Sequence, residues 1–235
     1  MNASKRTIAV AALVLVAATA SHAAFSNGLP VFRITGGATF LVSPDGDDAN
    51  DGLTWATAFK SIPAALAVAQ SNDTVVVTNG VYSAPAADQC CAVLNKAVTL
   101  RSVNGPDYTM ITNAFGTSCA TTMVYVAAAK AVFSGFSVVG ARRVAIDLLD
   151  YGEVTNCVVR DADTDTNLGY GTGNGVLMRG LVSIRGNGGA VRDCRFINNR
   201  LQSGAPTHVG VVFFLPNGVN NSVGWMTGCI ITNNF

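Results

Sequence analysis

The sequence predicts an all-β solenoid, a coil of short strands stacked along one axis, with one helix near its N-terminus. Two observations predict it. From Thr74 onward, short β-branched and apolar runs alternate with Gly, Asn and Asp, without a second helix-length apolar period. Several runs also share one frame, in which a large or sulfur-containing residue holds the same place: Phe136, Cys157, Cys194 and Cys229. Units too small to bury their own apolar faces must stack on one another.

The spacing of the frame residues is consistent with one coil per repeat. The intervals from Phe136 onward are 21, 37 and 35 residues, and Leu100 fits the frame more loosely, 36 residues before Phe136. The shortest interval suits one coil, and the longer ones suit a coil with an insertion, such as residues 163–173. We expect the frame residues to point inward and form a buried stack. A β-sandwich is the alternative, because spacing alone does not exclude it.

The N-terminus has the pattern of a targeting segment. Lys5 and Arg6 precede an apolar run from Ile8 to Ala18, and small residues follow up to Ala24. This order is typical of a secretory signal peptide, and the apolar run is short for a membrane span. We therefore predict a signal peptide over residues 1–24, a secreted or cell-surface protein, and no membrane span after cleavage. An uncleaved anchor helix is the alternative.

The composition of the chain argues against two classes of protein, disordered proteins and nucleic-acid-binding proteins. Charged residues make up 12% of the chain and hydrophobic residues 49%, which argues against a disordered chain. The 15 basic and 14 acidic residues argue against a nucleic-acid partner. Removal of residues 1–24 takes away Lys5 and Arg6 and no acidic residue. Few ionisable groups are then left for chemistry.

Residues 25–72 form a lead, a turn-rich loop and the helix, and residues 73–235 form the coils. The helix is predicted from about Ala56 to Gln70, because Phe59, Ile62 and Leu66 share one face. We expect it to cap the open end of the solenoid. The C-terminus has no matching cap. This predicts either a truncated chain or end-to-end self-association through the last coil.

Two segments resemble the opening of a known group of proteins. Residues 40–62 contain a Gly-Asp-rich loop, a Trp and the sequence Phe59-Lys-Ser-Ile62, and Asp73-Thr-Val-Val-Val-Thr-Asn-Gly-Val-Tyr82 follows. This order resembles that of secreted right-handed parallel β-helix proteins of the pectate-lyase-like superfamily, over about residues 40–105. The resemblance implies a right-handed parallel β-helix with an N-terminal capping helix. The superfamily includes lyases, adhesins and proteins without known chemistry, so the resemblance implies little about activity.

Acidic clusters offer ligands for Ca²⁺. Asp161, Asp163 and Asp165 alternate just after a predicted strand, and the loop at residues 45–51 contains four more aspartates. Ca²⁺ takes six to eight oxygen ligands. In lyases of the similar fold, Ca²⁺ bridges the protein and uronate carboxylates. The alternatives are a solvated loop at 161–165 and turn chemistry at 45–51.

Arginines provide the candidate cations. A lyase needs a base beside the substrate carboxylate, and Arg or Lys is the usual base in lyases of the similar fold. Arg179, Arg185 and Arg195 are candidates for that role, and Arg160 and Arg192 are candidates for binding carboxylates. An arginine row on one face of the solenoid would suit an anionic sugar. The alternative is solubilising charge on outward positions.

The other cysteines lie outside the frame. Cys90 or Cys91 is a candidate for a disulfide with Cys119 in an exported protein. A zinc site is disfavoured, because the chain has no Cys-x-x-Cys pair.

Two functions from different classes follow. The first is a secreted or surface β-helix protein that binds glycan or another surface and has no evident catalytic set. The second is a lyase-like enzyme acting on uronate-containing polymers with Ca²⁺ on Asp161, Asp163 and Asp165.

Overall fold

A computed structural model describes residues 37–86, 89–114, 122–164, 170–171, 177–201, 207–214 and 223–235. The predicted signal peptide, residues 1–24, lies outside these ranges. Within them, no helix has both the length and the apolar character needed to cross a membrane.

Three sheets are built from strands that pair with the coil before and the coil after. Sheet A contains β1 (Thr39–Val42), β2 (Thr74–Val77), β5 (Thr99–Ser102), β8 (Val132–Ser134), β11 (Gly152–Thr155), β16 (Gly188–Arg192) and β20 (Val223–Thr227). Sheet B contains β3 (Gly80–Ser83), β6 (Thr109–Thr112), β9 (Ser137–Val139), β12 (Val158–Arg160), β17 (Arg195–Ile197) and β21 (Ile230–Thr232). Sheet C contains β4 (Ala92–Leu94), β7 (Val124–Val126), β10 (Ile146–Leu148), β15 (Leu177–Ile184) and β19 (Thr207–Phe214).

Successive strands visit the sheets in the order C, A, B, as in β10, β11 and β12, and then begin the next coil. Every pair within this path is parallel. The short β14 (Tyr170–Gly171) adds to β15 in the antiparallel direction, and β13 (Asp163–Thr164) pairs with β18 (Arg200–Leu201) in parallel. The predicted solenoid is therefore confirmed. The β-sandwich alternative is wrong, because neighbouring strands in a β-sandwich run antiparallel, whereas those of the three sheets here run parallel.

Turn residues explain the repeat frame. Each of the last four turns from sheet A to sheet B holds one residue in the left-handed conformation, just before the frame residue: Gly135, Asn156, Asp193 and Gly228. The turn after the sheet-B strand repeats the feature: Gly140, Asp161, Asn198 and Asn233. Gly, Asn and Asp adopt this conformation at the lowest cost, so the sequence repeats them at these positions.

The frame residues lie in the interior. Phe136 is fully buried and stacks on Phe133 with ring centroids 4.7 Å apart. Cys157 and Cys194 are also buried, and their thiols donate to carbonyl oxygens two residues earlier, at 3.2 and 3.1 Å. The neighbouring Cys157 side chain and burial together raise the pKa of Cys194. Cys229, on the last coil described, is only partly buried.

Leu100 belongs to a different column of the interior. It pairs in register with Phe133, three residues before Phe136, so its place in the predicted frame is wrong. The cause is the loop at 103–108, which replaces the short turn between sheets A and B found in later coils.

The helix is shorter than predicted. α1 runs from Ile62 to Val68, with Ser61 as its N-cap, and a 3₁₀ turn covers Trp55–Thr57. Phe59 lies between the two in extended backbone that bridges to Val42. The apolar period that predicts one long helix therefore contains an extended residue, although Ile62 and Leu66 do face the core.

The last described coil exposes apolar side chains. Ile230 and Ile231 are 54% and 50% exposed. Ile231 occupies the register row of the fully buried Phe196. Self-association through this coil stays a prediction.

Candidate functional site

The outward face of sheet C carries a polar row. Val126, Leu148 and Ile184 are buried on the inward side, so their alternating neighbours point outward. Register places these outward residues side by side on four strands: Val93, Tyr125, Asp147 and Ser183. We call these four residues the sheet-C row. With strands about 4.8 Å apart, the row is roughly 14 Å long.

Asp147 and Arg185 form an ion pair at the centre of this row. Arg185 follows β15 and lies diagonally across from Asp147 on the neighbouring coil. Its Nε donates to Oδ1 of Asp147 at 2.8 Å, and a second guanidinium nitrogen contacts Oδ2. The Asp147 side chain is 1% exposed and the Arg185 side chain 27%. A two-point contact of this kind fixes the plane of the guanidinium group.

Ser183 stands beside Asp147 without a hydrogen-bond partner. It is fully buried, and its Oγ is one of two buried side-chain atoms in the described residues that have no partner. The other is Nε of Arg143, in the turn before β10. Buried polar groups are nearly always satisfied in native proteins, so an exception marks a place where a ligand or water is expected.

A groove adjoins the row at Val93. It has a volume of about 480 Å³ and lies between α1 and the outward side of β4, with Leu66 and Asn95 among its lining residues. Lys96 also lines it, but its ammonium group donates to carbonyl oxygens at the C-terminal end of α1, including Leu66 O at 3.2 Å. Such a contact stabilises the helix end.

The structure distributes the predicted arginines over three faces. Arg160 and Arg195 lie outward on adjacent strands of sheet B, Arg192 lies on sheet A, and Arg185 lies at sheet C. They therefore do not form one row. The backbone of Arg179 belongs to β15, and its side chain lies outside the described part of the structure.

The predicted calcium ligands already have partners where they are described. Asp161 pairs with Arg160 at 2.6 Å and occupies a left-handed turn position. Asp163 pairs with Arg142 at 2.7 Å. Asp165 lies outside the described residues. Within those residues, no group of three Asp, Glu, His or Cys side chains is arranged to hold a metal ion.

Asp48 and Asp51 of the N-terminal loop accept hydrogen bonds that stabilise the loop and the start of α1. Asp48 Oδ1 accepts the backbone N–H groups of Lys60 and Ser61 at the start of α1. Asp51 accepts the N–H of Leu53 and the hydroxyl of Thr57, and these hydrogen bonds lower its pKa.

The predicted disulfide stays a prediction, because Cys119 lies outside the described residues. Cys91 is a buried thiol, and burial raises its pKa to about 12. Cys90 is partly exposed beside it, on the wall of the groove.

Sequence reasoning missed all four residues of the sheet-C row: Val93, Tyr125, Asp147 and Ser183. One signal for Asp147 was available. It is the single charged residue within an otherwise apolar strand, Val144–Leu149, and an ionisable group in such a strand needs a partner. Nothing in the sequence distinguishes Ser183 from an ordinary strand serine.

Comparisons with known proteins agree with the architecture. A solved structure described as a rhamnogalacturonan lyase superposes with a TM-score of 0.62 at 16% identity, covering 84% of this chain and 56% of that one. The pectate lyase Pel9A superposes with a TM-score of 0.52 at 15% identity, covering 86% and 63%. No family model and no curated protein matches the sequence. The chain thus spans less than two thirds of either structure. At such identities the likeness shows the fold, and this chain has the parallel β-helix fold of pectate-lyase-like proteins.

Proposed function

We propose that the protein is a secreted or cell-surface β-helix protein that binds glycan at the sheet-C row. One observation carries the proposal. The outward-facing row contains a buried aspartate that is paired with Arg185 and, next to it, a buried hydroxyl without a partner. Outward positions of a solenoid normally face water, where neither feature would arise.

The row has the mixed chemistry of a sugar site. Tyr125 is half-buried and offers an aromatic surface, as ligand sites commonly do. Arg185 is held by Asp147, which fixes the plane of its guanidinium group, and its side chain is 27% exposed beside the row. The Ser183 hydroxyl beside Asp147 is fully buried, and a bound water would satisfy it.

One screen distinguishes a glycan-binding protein from an enzyme that cleaves glycans. The exported protein is offered a glycan array, and soluble polysaccharides from the positive spots are then incubated with it. The proposal predicts retention on the array without chain cleavage or release of unsaturated sugars. If the protein bound no glycan on the array, the proposed function would be contradicted.

A uronate lyase with Ca²⁺ is the second candidate function. Its support is the shared fold with two structures described as lyases. It assigns Ca²⁺ to Asp161, Asp163 and Asp165, and the base to Arg179, Arg185 or Arg195. Formation of unsaturated uronate from pectate or alginate, dependent on Ca²⁺ and lost when the three aspartates are changed to alanine, would favour it over the first.

A further inference from the structure

The corner between sheets C and A carries two large side chains at a place that favours glycine. Register aligns Lys130, Tyr151 and Gly188, because each lies two positions before a residue of one paired row in sheet A. All three are left-handed, with φ of 64°, 63° and 101°. Glycine adopts this conformation without strain, whereas a residue with a Cβ is strained in it. We call Lys130 and Tyr151 the corner pair.

Neither burial nor a polar contact offsets the strain of the corner pair. Lys130 is exposed, and Tyr151 is 56% exposed. Neither side chain has a hydrogen-bond or ion-pair partner among the residues that the structure describes. The stability of the turn therefore does not explain these two residues, and residues that break a local structural rule are expected at functional sites.

The backbone beneath Tyr151 is fixed by the next coil. Its N–H donates to the carbonyl oxygen of Gly188 at 2.7 Å. Asp150, which is also left-handed with φ of 52°, accepts from Nδ2 of Asn187 at 2.8 Å. A side chain on a fixed backbone loses less freedom when it binds a ligand, and tyrosine has only two side-chain torsions to order. Tyr151 thus offers an exposed aromatic ring on a rigid support.

The corner pair lies beside the sheet-C row. Tyr151 follows Asp147 of the row by four residues, which is at most about 13 Å of extended chain. Lys130 follows Tyr125 of the row by five residues, at most about 17 Å. The pair and the row cross the same two coils, so they run side by side along the solenoid. A linear polymer lying on the row would therefore pass the corner as well.

We infer that the corner pair is a second part of the glycan site, in which Tyr151 stacks on the apolar C–H face of a sugar ring and Lys130 donates to sugar hydroxyls. The inference rests on the proposed function, since it assigns two further residues to the same ligand. An aromatic ring supplies apolar contact area, and an ammonium group supplies three donors and no acceptor. A polymer of hydroxyl-rich pyranose sugars presents surfaces that match both.

Tyr151 is tested by gel retardation in β-glucan, galactan, mannan and pectate. In a gel that retards the wild type, Tyr151→Asn should weaken binding by about tenfold because the ring is lost, and Tyr151→Phe should keep most of the affinity. The urea midpoint of Tyr151→Asn should equal or exceed that of the wild type, since Asn adopts the left-handed conformation readily. A lower midpoint would mean that the ring stabilises the turn, and would overturn the inference.

Lys130 is tested against a matched glycine replacement. Lys130→Gly should raise the urea midpoint and weaken binding. Asn156→Gly makes the same kind of change at an exposed left-handed position with φ of 50°, on a turn from sheet A to sheet B, and should leave binding unchanged. An equal loss of binding in both variants would overturn the role of Lys130.

The same gels distinguish this inference from the proposed function. Wild-type binding by Tyr151→Asn, together with weakened binding by Tyr125→Ala, would overturn the inference and leave binding at the sheet-C row intact. If none of the four polymers retards the wild-type protein, both are overturned.

Discussion

Arg185 and Asp147 are 38 positions apart in the chain, yet Nε of the arginine lies 2.8 Å from Oδ1 of the aspartate. The contact joins two adjacent coils on the outward side of sheet C, where the aspartate is nevertheless buried. It links the stability of the fold to the chemistry of the proposed site, because the same pair fixes the guanidinium that would meet a ligand.

The first prediction concerns this pair. Asp147→Ala removes two charge-assisted hydrogen bonds to Arg185, so the free energy of unfolding should fall by about 2 kcal/mol. Glu153→Ala is the control, since its pair with Arg192 joins two exposed side chains and should cost less than about 1 kcal/mol. Urea denaturation measures both. A larger loss for the Glu153 variant would contradict the structure.

The second prediction concerns the unpartnered hydroxyl. Ser183→Ala removes a buried polar atom that has no hydrogen-bond partner, so the protein should become more stable, by about 1 kcal/mol. Ser137→Ala is the control, because the Ser137 hydroxyl donates to the carbonyl oxygen of Pro106 at 2.7 Å and its loss should destabilise. Destabilisation by Ser183→Ala would show that the hydroxyl has a structural partner.

The third prediction is the dependence of stability on alkaline pH. Burial raises the pKa of Cys91 to about 12, whereas an unfolded thiol titrates near pH 8.5. Between these values the folded state holds the proton and the unfolded state does not. Stability is therefore complete below about pH 8 and falls as pH rises, by up to about 1.4 kcal/mol per pH unit for this thiol. The pKa values of Cys194 and Tyr82 are also raised and act in the same direction.

Cys91→Ala separates the contribution of this thiol. Urea unfolding of wild type and variant between pH 7 and 10.5 should show a shallower decline in the variant. Parallel declines would mean that Cys91 is accessible to base in the folded protein.

The fourth prediction tests the aromatic part of the interior. Phe133 and Phe136 are both fully buried and stacked, so Phe133→Ala should cost about 3–5 kcal/mol. Phe133→Leu should lose much less, since it keeps most of the volume. The comparison is made by thermal and urea unfolding. A similar small effect of both changes would contradict the packing described for these rings.

The solenoid was predictable because its local rules repeat. Gly, Asn or Asp recurs before Phe136, Cys157 and Cys194, and the structure shows that this position needs a left-handed residue. The same rule explains Asp161, which occupies a left-handed turn position that Asp adopts readily. The sequence analysis interpreted this acidic side chain as a metal ligand.

The site was less predictable, because it depends on register between coils. Asp147 and Arg185 become neighbours only when coils of unequal length stack, and the insertions that make them unequal have no local pattern. The spread of the arginines over three sheets has the same cause. The sequence indicates which strand lies at or beside each arginine. It does not indicate which arginines share a face of the solenoid.

Affinity electrophoresis of two tyrosine variants is the sharpest test of glycan binding at the sheet-C row. Tyr125 belongs to the row, whereas Tyr108 is 60% exposed just before β6 on sheet B, the face that carries Arg160 and Arg195. In gels containing the polysaccharide that the array identifies, Tyr125→Ala should lose retardation and Tyr108→Ala should migrate like wild type. Retardation lost in Tyr108→Ala and kept in Tyr125→Ala would contradict binding at the sheet-C row and place it on sheet B.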